Sequence, residues 1–164
     1  MIPFGDIANT HQMILQDHQR YMAMAITQAS IALEKNEVPV GAIIVHDDMV
    51  IGKGHNQVET LKDATAHAEM IALTAAMEHR NQKYLQGCTI YVTLEPCPMC
   101  AGALVWSKID RIVFGAMDAK AGGCGSLFNI SANKQLNHQI EIIQGVLEED
   151  AKWLLKQFFA EKRN

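Results

Sequence analysis

The alternation of apolar and polar positions predicts an amphipathic helix near the start of the chain. Apolar side chains recur three and four residues apart between about Gln19 and Lys35, which is the period of one helix face. Residues 1–17 show no clear period, and we expect them to form a loosely attached extension. Pro39 cannot continue the helix, because its ring removes an N–H donor and clashes with the preceding turn.

The next two segments predict a β-hairpin. The run from Val40 to His46 is apolar at every position before the final histidine, as in a central strand that is buried on both faces. Asp47 and Asp48 supply a short turn into a second strand from Met49 to Gly54.

The remaining elements alternate between helical and strand patterns. We expect a polar loop over 55–65, helices over 67–80, 97–106 and about 147–163, and strands over 88–94, 111–115 and 140–143. The strand, helix and strand within 88–115 have the spacing of a parallel right-handed crossover. The whole pattern predicts an α/β fold of three layers (α/β/α), with a mixed sheet of about five strands between helices. Residues 116–131 are glycine-rich and too long for a simple connection, so we expect a binding loop.

Composition favours one domain spanning 1–164, because 164 residues with 49% hydrophobic and 20% charged positions can bury a single core. The chain start has no basic segment followed by an apolar run, and no stretch approaches the ~20 apolar residues of a membrane helix. We therefore expect a cytoplasmic protein with no membrane partner. The net charge of −4 gives no electrostatic sign of a nucleic-acid partner.

Two of the four cysteines lie three positions apart at a predicted helix start. With Pro98 as the first helical residue, Cys97 becomes the N-cap and Cys100 follows one turn later on the same face. A helix N-terminus also lowers the pKa of nearby thiols, which favours the thiolate that binds metals. The pair alone is compatible with catalytic zinc, structural zinc, a disulfide oxidoreductase or coincidence.

A catalytic zinc site needs about three protein ligands and an open position for water, and His67 is the best third candidate. Glu69 follows two residues later. In a regular helix these side chains would diverge by about 200°, so both can serve one site only around an incompletely helical first turn. Zinc would lower the pKa of its water to roughly 7 and supply hydroxide, while Glu69 shuttles the proton to a substrate nitrogen. HxE followed by PCxxC is a signature already described for zinc-dependent nucleobase deaminases, so the match is to a known pattern.

The alternative is a structural zinc beside an idle Glu69. Such a site would need a fourth ligand, and the spare thiols are Cys88 and Cys124. Neither has a partner at ligand spacing, so we expect each to be a small buried residue.

Five segments carry a resemblance to a known family: VPVGAIIV, HNQVETLKDATAHAEM, YVTLEPCPMCAGAL, RIVFGAMDAKAGGCGSL and LNHQIEIIQGVLEEDAKWLLKQFF. From about Tyr21 to its C-terminus, the chain resembles the bacterial tRNA-specific adenosine deaminases of the cytidine deaminase superfamily. The resemblance implies a cytidine deaminase-like fold and a homodimer without a nucleotide cofactor. It also implies conversion of the wobble adenosine of a tRNA anticodon stem-loop to inosine.

The resemblance also assigns roles to single residues. It makes His67, Cys97 and Cys100 the ligands of one Zn²⁺ per subunit, Glu69 the proton shuttle, and Asn56 a contact to the base. It places Asp118, Lys120 and Phe159 along the path of the RNA. Backbone groups near Ala68 would add hydrogen bonds to the base.

Some positions depart from the family pattern. Ala64 stands where proline is usual, and Cys124 where alanine is common. The chain after Phe159 is less basic than in the family, which predicts weaker phosphate contact. The following cations either form a local RNA-binding patch or are scattered surface charges: Lys108, Arg111, Lys120, Lys152 and Arg163.

Two rival functions remain open at this point. A deaminase of free guanine or cytosine would share the HAE and PCxxC motifs, although the glycine-rich loop and the final helix with its two phenylalanines favour tRNA. A zinc-stabilised binding module without turnover is the other rival, and the role of Glu69 distinguishes it from an enzyme.

Overall fold

A mixed sheet of five strands forms the centre of the molecule, in the order β2-β1-β3-β4-β5. The computed structural model describes the backbone of residues 4–163 and the side chains of residues 10–163. The strands are β1 (Gly41–His46), β2 (Met49–His55), β3 (Cys88–Leu94), β4 (Arg111–Ala116) and β5 (Glu141–Gln144). Strand β1 pairs antiparallel with β2 and β3, whereas β3, β4 and β5 run parallel to one another. The predicted hairpin and the parallel pairing of the crossover strands are thus confirmed.

Helices cover both faces of the sheet. They are α1 (Phe4–Glu34), α2 (Val58–Leu61), α3 (Ala68–Arg80), α4 (Pro98–Trp106) and α5 (Glu148–Lys162). Because strand side chains alternate between faces, Ile43 and Val45 pack with the α1 core, while Ala42 and Ile44 pack with the α3 and α4 core. Helix α5 lies beside α1 and against β4. The predicted three-layer fold is confirmed.

The first helix is longer than its apolar pattern indicates. We predicted a start near Gln19, but α1 begins at Phe4. All side chains from Thr10 to Asp17 are exposed, and burial begins at His18. Apolar periodicity reports only a helix face that packs on a core, so it could not reveal this exposed segment. Residues 1–3 lie outside the described residues.

Two local features place β2 against the start of α3. Asp47 and Asp48 both have positive φ, 48° and 60°, as a tight hairpin turn requires. At Gly54, an added Cβ would lie 2.3 Å from the carbonyl oxygen of Ala68. Glycine therefore allows the end of β2 to approach the first turn of α3.

The short helix α2 lies within the segment that we predicted to be a polar loop.

The carboxyl end of β3 leads directly into the turn before α4, and the carboxyl end of β4 leads into the glycine-rich loop (residues 116–131). Ligands in such sheets bind outside the carboxyl ends of the parallel strands. Within residues 4–163, no helix is both long and apolar enough to cross a membrane.

Candidate active site

Two helix N-termini meet at the carboxyl end of β3. His67 is the N-cap of α3 and Cys97 is the N-cap of α4, and both have extended backbone, with ψ of 152° and 171°. Neither side chain caps its own helix. Pro98 follows Cys97 as the first residue of α4, as predicted. The extended backbone at His67 is the departure from helical geometry that lets its side chain share a site with Glu69.

The three predicted ligands form a compact group. The Nδ1 atom of His67 lies 3.6 Å from the Sγ of Cys97 and 3.5 Å from the Sγ of Cys100. In a tetrahedral zinc site, with Zn–S near 2.3 Å and Zn–N near 2.0 Å, a nitrogen and a sulfur ligand lie about 3.5 Å apart. One imidazole and two thiols at these distances therefore fit zinc in both chemistry and geometry. Within the described part of the chain, no other group of three His, Cys, Asp or Glu side chains comes this close together.

The two thiols differ in acidity. A hydrogen bond from the Cys100 thiol lowers the pKa of Cys97 to about 4, and hydrogen bonding with His67 also lowers it. The same contact and burial raise the pKa of Cys100. Cys97 therefore favours the thiolate form, and a metal held by both sulfurs would release a proton from Cys100.

Glu69 lies next to this group and is only 3% exposed. Burial raises the pKa of its carboxyl to about 7, and this effect outweighs the hydrogen bond from its own backbone N–H and the attraction of His67. A carboxyl with a pKa near neutrality can both accept and donate a proton at physiological pH. This is the property that a proton shuttle requires.

A cavity of about 470 Å³ opens onto these groups. It brings together most of the predicted site residues: Asn56, His67, Ala68, Glu69, Cys97, Asp118 and Phe159. Cys100 is fully buried behind the wall. Lys120 is exposed in the glycine-rich loop and is not part of the lining.

Four charged residues of the lining are not predicted from the sequence: Glu37, Glu59, Glu95 and Lys162. Glu37 and Glu95 are 1% and 2% exposed. Glu95 could have been found from the sequence, because it is a charged residue between a buried strand and the turn at Cys97. Lys162 lies in the last turn of α5, with its ammonium 4.9 Å from the ring centre of Phe158.

The five cations suggested as an RNA patch do not lie together at the cavity. Arg111 begins β4, at the end of the strand opposite to the glycine-rich loop, and pairs with Glu141 at 2.8 Å. The Lys108 ammonium lies over the ring of Tyr84. For these two residues, the interpretation as scattered surface charges is therefore correct. Cys88 and Cys124 are both buried, as predicted.

Comparison with known proteins assigns the family. A tRNA-specific adenosine deaminase from Aquifex aeolicus is 51% identical to this chain over 144 residues, covering 88% of the chain and 95% of that protein. This chain belongs to the tRNA-specific adenosine deaminase family. A second member, from Bacillus subtilis, is 47% identical over 143 residues, covering 87% of the chain and 89% of that protein. Residues 15–116 match the family model of the cytidine and deoxycytidylate deaminase zinc-binding region.

A solved structure supports the same assignment. It comes from work on A-to-I editing by tRNA deaminases at the wobble position of transfer RNA and is 37% identical in sequence. The TM-score is 0.80, with 83% of this chain and 99% of that chain covered. The predicted family, enzyme class and cytidine deaminase-like fold are thus confirmed. The roles of the single site residues stay predictions.

Proposed function

We propose that this deaminase hydrolyses adenosine to inosine at the wobble position of a tRNA anticodon loop, with one Zn²⁺ per subunit on His67, Cys97 and Cys100. One observation carries the proposal: three ligand atoms at zinc-site distances lie beside a buried carboxyl of near-neutral pKa. Family membership adds the substrate class, since the relatives that match are named for tRNA adenosine deamination.

Glu69 performs the proton transfers in this proposal. Zinc, when bound, supplies an activated water as nucleophile. The Glu69 carboxylate would accept a proton from the nucleophile and deliver it to a ring nitrogen of the base while a C–O bond forms at the carbon that carries the amino group. A second proton delivered to that amino group would let the C–N bond break and ammonia leave. Water and adenosine thus give inosine and ammonia. Burial, which raises the pKa of this carboxyl, favours its acting first as base and then as acid.

The cavity provides the binding site for one extruded base. Asn56 is 7% exposed and lies in the lining, so its amide can pair with the polar edge of the base. The backbone at Ala68 lies in the same wall. The bases of an anticodon loop are already partly unstacked, which reduces the cost of extruding one of them.

The rim of the cavity suits the flanking nucleotides. Phe159 is 49% exposed and offers an aromatic surface on which a base can stack. Asp118 lines the cavity from the glycine-rich loop, and Lys120 is exposed two residues later in the same loop. Lys162 adds a cation near Phe159, where it can contact a phosphate.

A homodimer is part of the proposal. Trp106 at the end of α4 is 82% exposed. It borders a second cavity of about 420 Å³, whose lining includes Val105, Ile130 and Leu136. Large exposed apolar patches mark interaction sites, and we assign this one to a second copy of the chain. Light scattering should give twice the mass of one chain, and Trp106→Glu should lower that mass.

Substrate choice is tested by offering the zinc-loaded enzyme two stem-loops and three free bases. The stem-loops carry adenosine or cytidine at the wobble position, and the free bases are adenine, guanine and cytosine. We expect inosine only in the wobble-adenosine stem-loop, with Glu69→Gln as the inactive control. Conversion of free guanine or cytosine, without inosine in the stem-loop, would establish the free-base alternative. We also propose a cytoplasmic location, because that is where a bacterial enzyme meets its tRNA.

A further inference from the structure

Glu95 is a buried carboxylate that holds the glycine-rich loop. It lies between the end of β3 and Cys97 and is 2% exposed. One oxygen, Oε1, accepts hydrogen bonds from the backbone N–H groups of Cys124 (3.1 Å) and Ser126 (3.0 Å). The other, Oε2, accepts from the Asp118 N–H (3.0 Å) and from the Ser126 hydroxyl. Each oxygen therefore pairs with two donors of the same loop.

The loop is shaped to fit over this carboxylate. An added Cβ at Gly122 would lie 2.4 Å from the Cδ of Glu95, so a side chain there would displace either the loop or the carboxylate. The N–H of Gly123 donates to the carbonyl oxygen of Pro96 at 2.7 Å. The loop thus packs directly on the turn that carries the metal ligand Cys97.

A second set of hydrogen bonds extends this support to the cavity rim. Asp118 lines the cavity, and its Oδ1 accepts the backbone N–H groups of Lys120 and Ala121, both at 3.1 Å. Glu95 therefore fixes the backbone of Asp118, and the side chain of Asp118 fixes the backbone of Lys120. Burial raises the pKa of Glu95, but the hydrogen bonds from Ser126 and the three N–H groups outweigh it and hold the pKa below its ordinary value. All four of these bonds run from N–H or O–H donors to the Glu95 oxygens, so the side chain serves the loop purely as an acceptor.

We infer that Glu95 is a positioning residue for the substrate, because it connects the metal-binding turn to the loop in which Asp118 lines the cavity and Lys120 is exposed two residues later. Its contacts belong to the loop and not to the reacting atoms. This role rests on the proposed function, since the loop is taken to contact the RNA. A flexible loop would pay its ordering cost on binding, so loss of Glu95 should weaken substrate binding rather than slow the chemical step.

Glu95→Gln is the sharpest test in the full-length, zinc-loaded enzyme. Glutamine has one acceptor oxygen, so its NH₂ group would face the Asp118 N–H and leave that buried donor unpaired. We expect KM for the wobble-adenosine stem-loop to rise about tenfold, with kcat and zinc content near those of wild type. Gly122→Ala disturbs the same contact from the loop side and should act similarly. Ser126→Ala removes one hydroxyl but keeps every N–H, so it should raise KM less.

A double-mutant cycle that combines Glu95→Gln with Lys120→Ala tests whether Glu95 acts by placing Lys120. If Glu95 acts by placing Lys120, the double variant should have about the KM of Lys120→Ala alone. If the two substitutions raise KM by factors that multiply in the double variant, Glu95 does not act through Lys120. An unchanged KM in Lys120→Ala would lead to the same conclusion. Loss of zinc or a fall in kcat at constant KM in Glu95→Gln would overturn the positioning role.

Hydrogen exchange separates this inference from the proposed function, because it needs no substrate. Peptides covering residues 118–126 should exchange faster in Glu95→Gln and Gly122→Ala, while peptides covering α3 keep the wild-type rate. Unchanged exchange in the loop would refute the inference even if the enzyme makes inosine. Should Glu95→Gln fail to fold, the same measurement on Ser126→Ala decides, with faster exchange confined to the loop as the supporting result.

Discussion

Replacing Glu69 with glutamine removes a proton carrier and almost preserves side-chain shape in a position that is 3% exposed. With a pKa of about 7, this carboxyl is available both as base and as acid near neutral pH. Positioned general acid and base catalysis contributes roughly 10² to 10⁴ in rate, which corresponds to about 2.7 to 5.4 kcal/mol of activation free energy. We expect the rate of deamination to fall by that factor. Zinc should remain, because the three donor atoms come from other residues.

The measurement should isolate the chemical step. Single-turnover inosine formation, with enzyme in excess over an anticodon stem-loop, removes any contribution of product release. Zinc per chain is measured on the same samples. His67→Ala is the matched control, because it removes one of the three ligands and should lose both zinc and turnover. A Glu69→Gln rate within tenfold of wild type, or loss of its zinc, would refute the assigned role.

Three further predictions concern the surroundings of the site. Hydrogen bonds from Thr60 and from the Glu59 N–H outweigh burial and hold the pKa of Glu37 below its ordinary 4.5, so Glu37→Gln should cost about 1 to 2 kcal/mol at neutral pH. This difference should shrink as the pH falls below about 4, and an equal difference in urea unfolding at about pH 3 would contradict it. Cys124→Ala should keep one zinc per chain while Cys100→Ala loses it, and zinc loss from the former would indicate a fourth ligand. Lys162→Ala should weaken stem-loop binding and lower the slope of log affinity against log salt by about 0.7, whereas an unchanged slope would exclude a phosphate contact.

Local chemistry explains why the metal-binding part of the site could be predicted from the sequence. The Cys97 and Pro98 pair specifies a helix start, and the short spacing of His67 and Glu69 requires a second one. Each of these inferences depends on residues that lie within one helical turn of one another. The hairpin at Asp47 and Asp48 is local in the same sense, and its positive φ angles follow from the turn alone.

The loops around the cavity could not be predicted in the same way, because their hydrogen bonds join distant parts of the chain. Glu37 accepts N–H groups from Glu59 and Thr60, and Glu95 accepts N–H groups from the glycine-rich loop. A glutamate beside a loop normally indicates a solvated surface. Only the fold shows that these two are buried. The exposed start of α1 is a different case, since a helix without a buried face leaves no apolar period.

Three buried glutamates line the same cavity, yet their pKa values shift in opposite directions. Glu95 and Glu37 each accept several hydrogen bonds from loop donors, which stabilise the charged form and outweigh burial. Glu69 has weaker compensation, so burial prevails and its pKa rises to about 7. The N–H and O–H donors around each carboxyl, set against the depth of its burial, thus decide which one stays charged and which can exchange protons. The donor-rich carboxylates are suited to holding loops, and the donor-poor one is suited to catalysis.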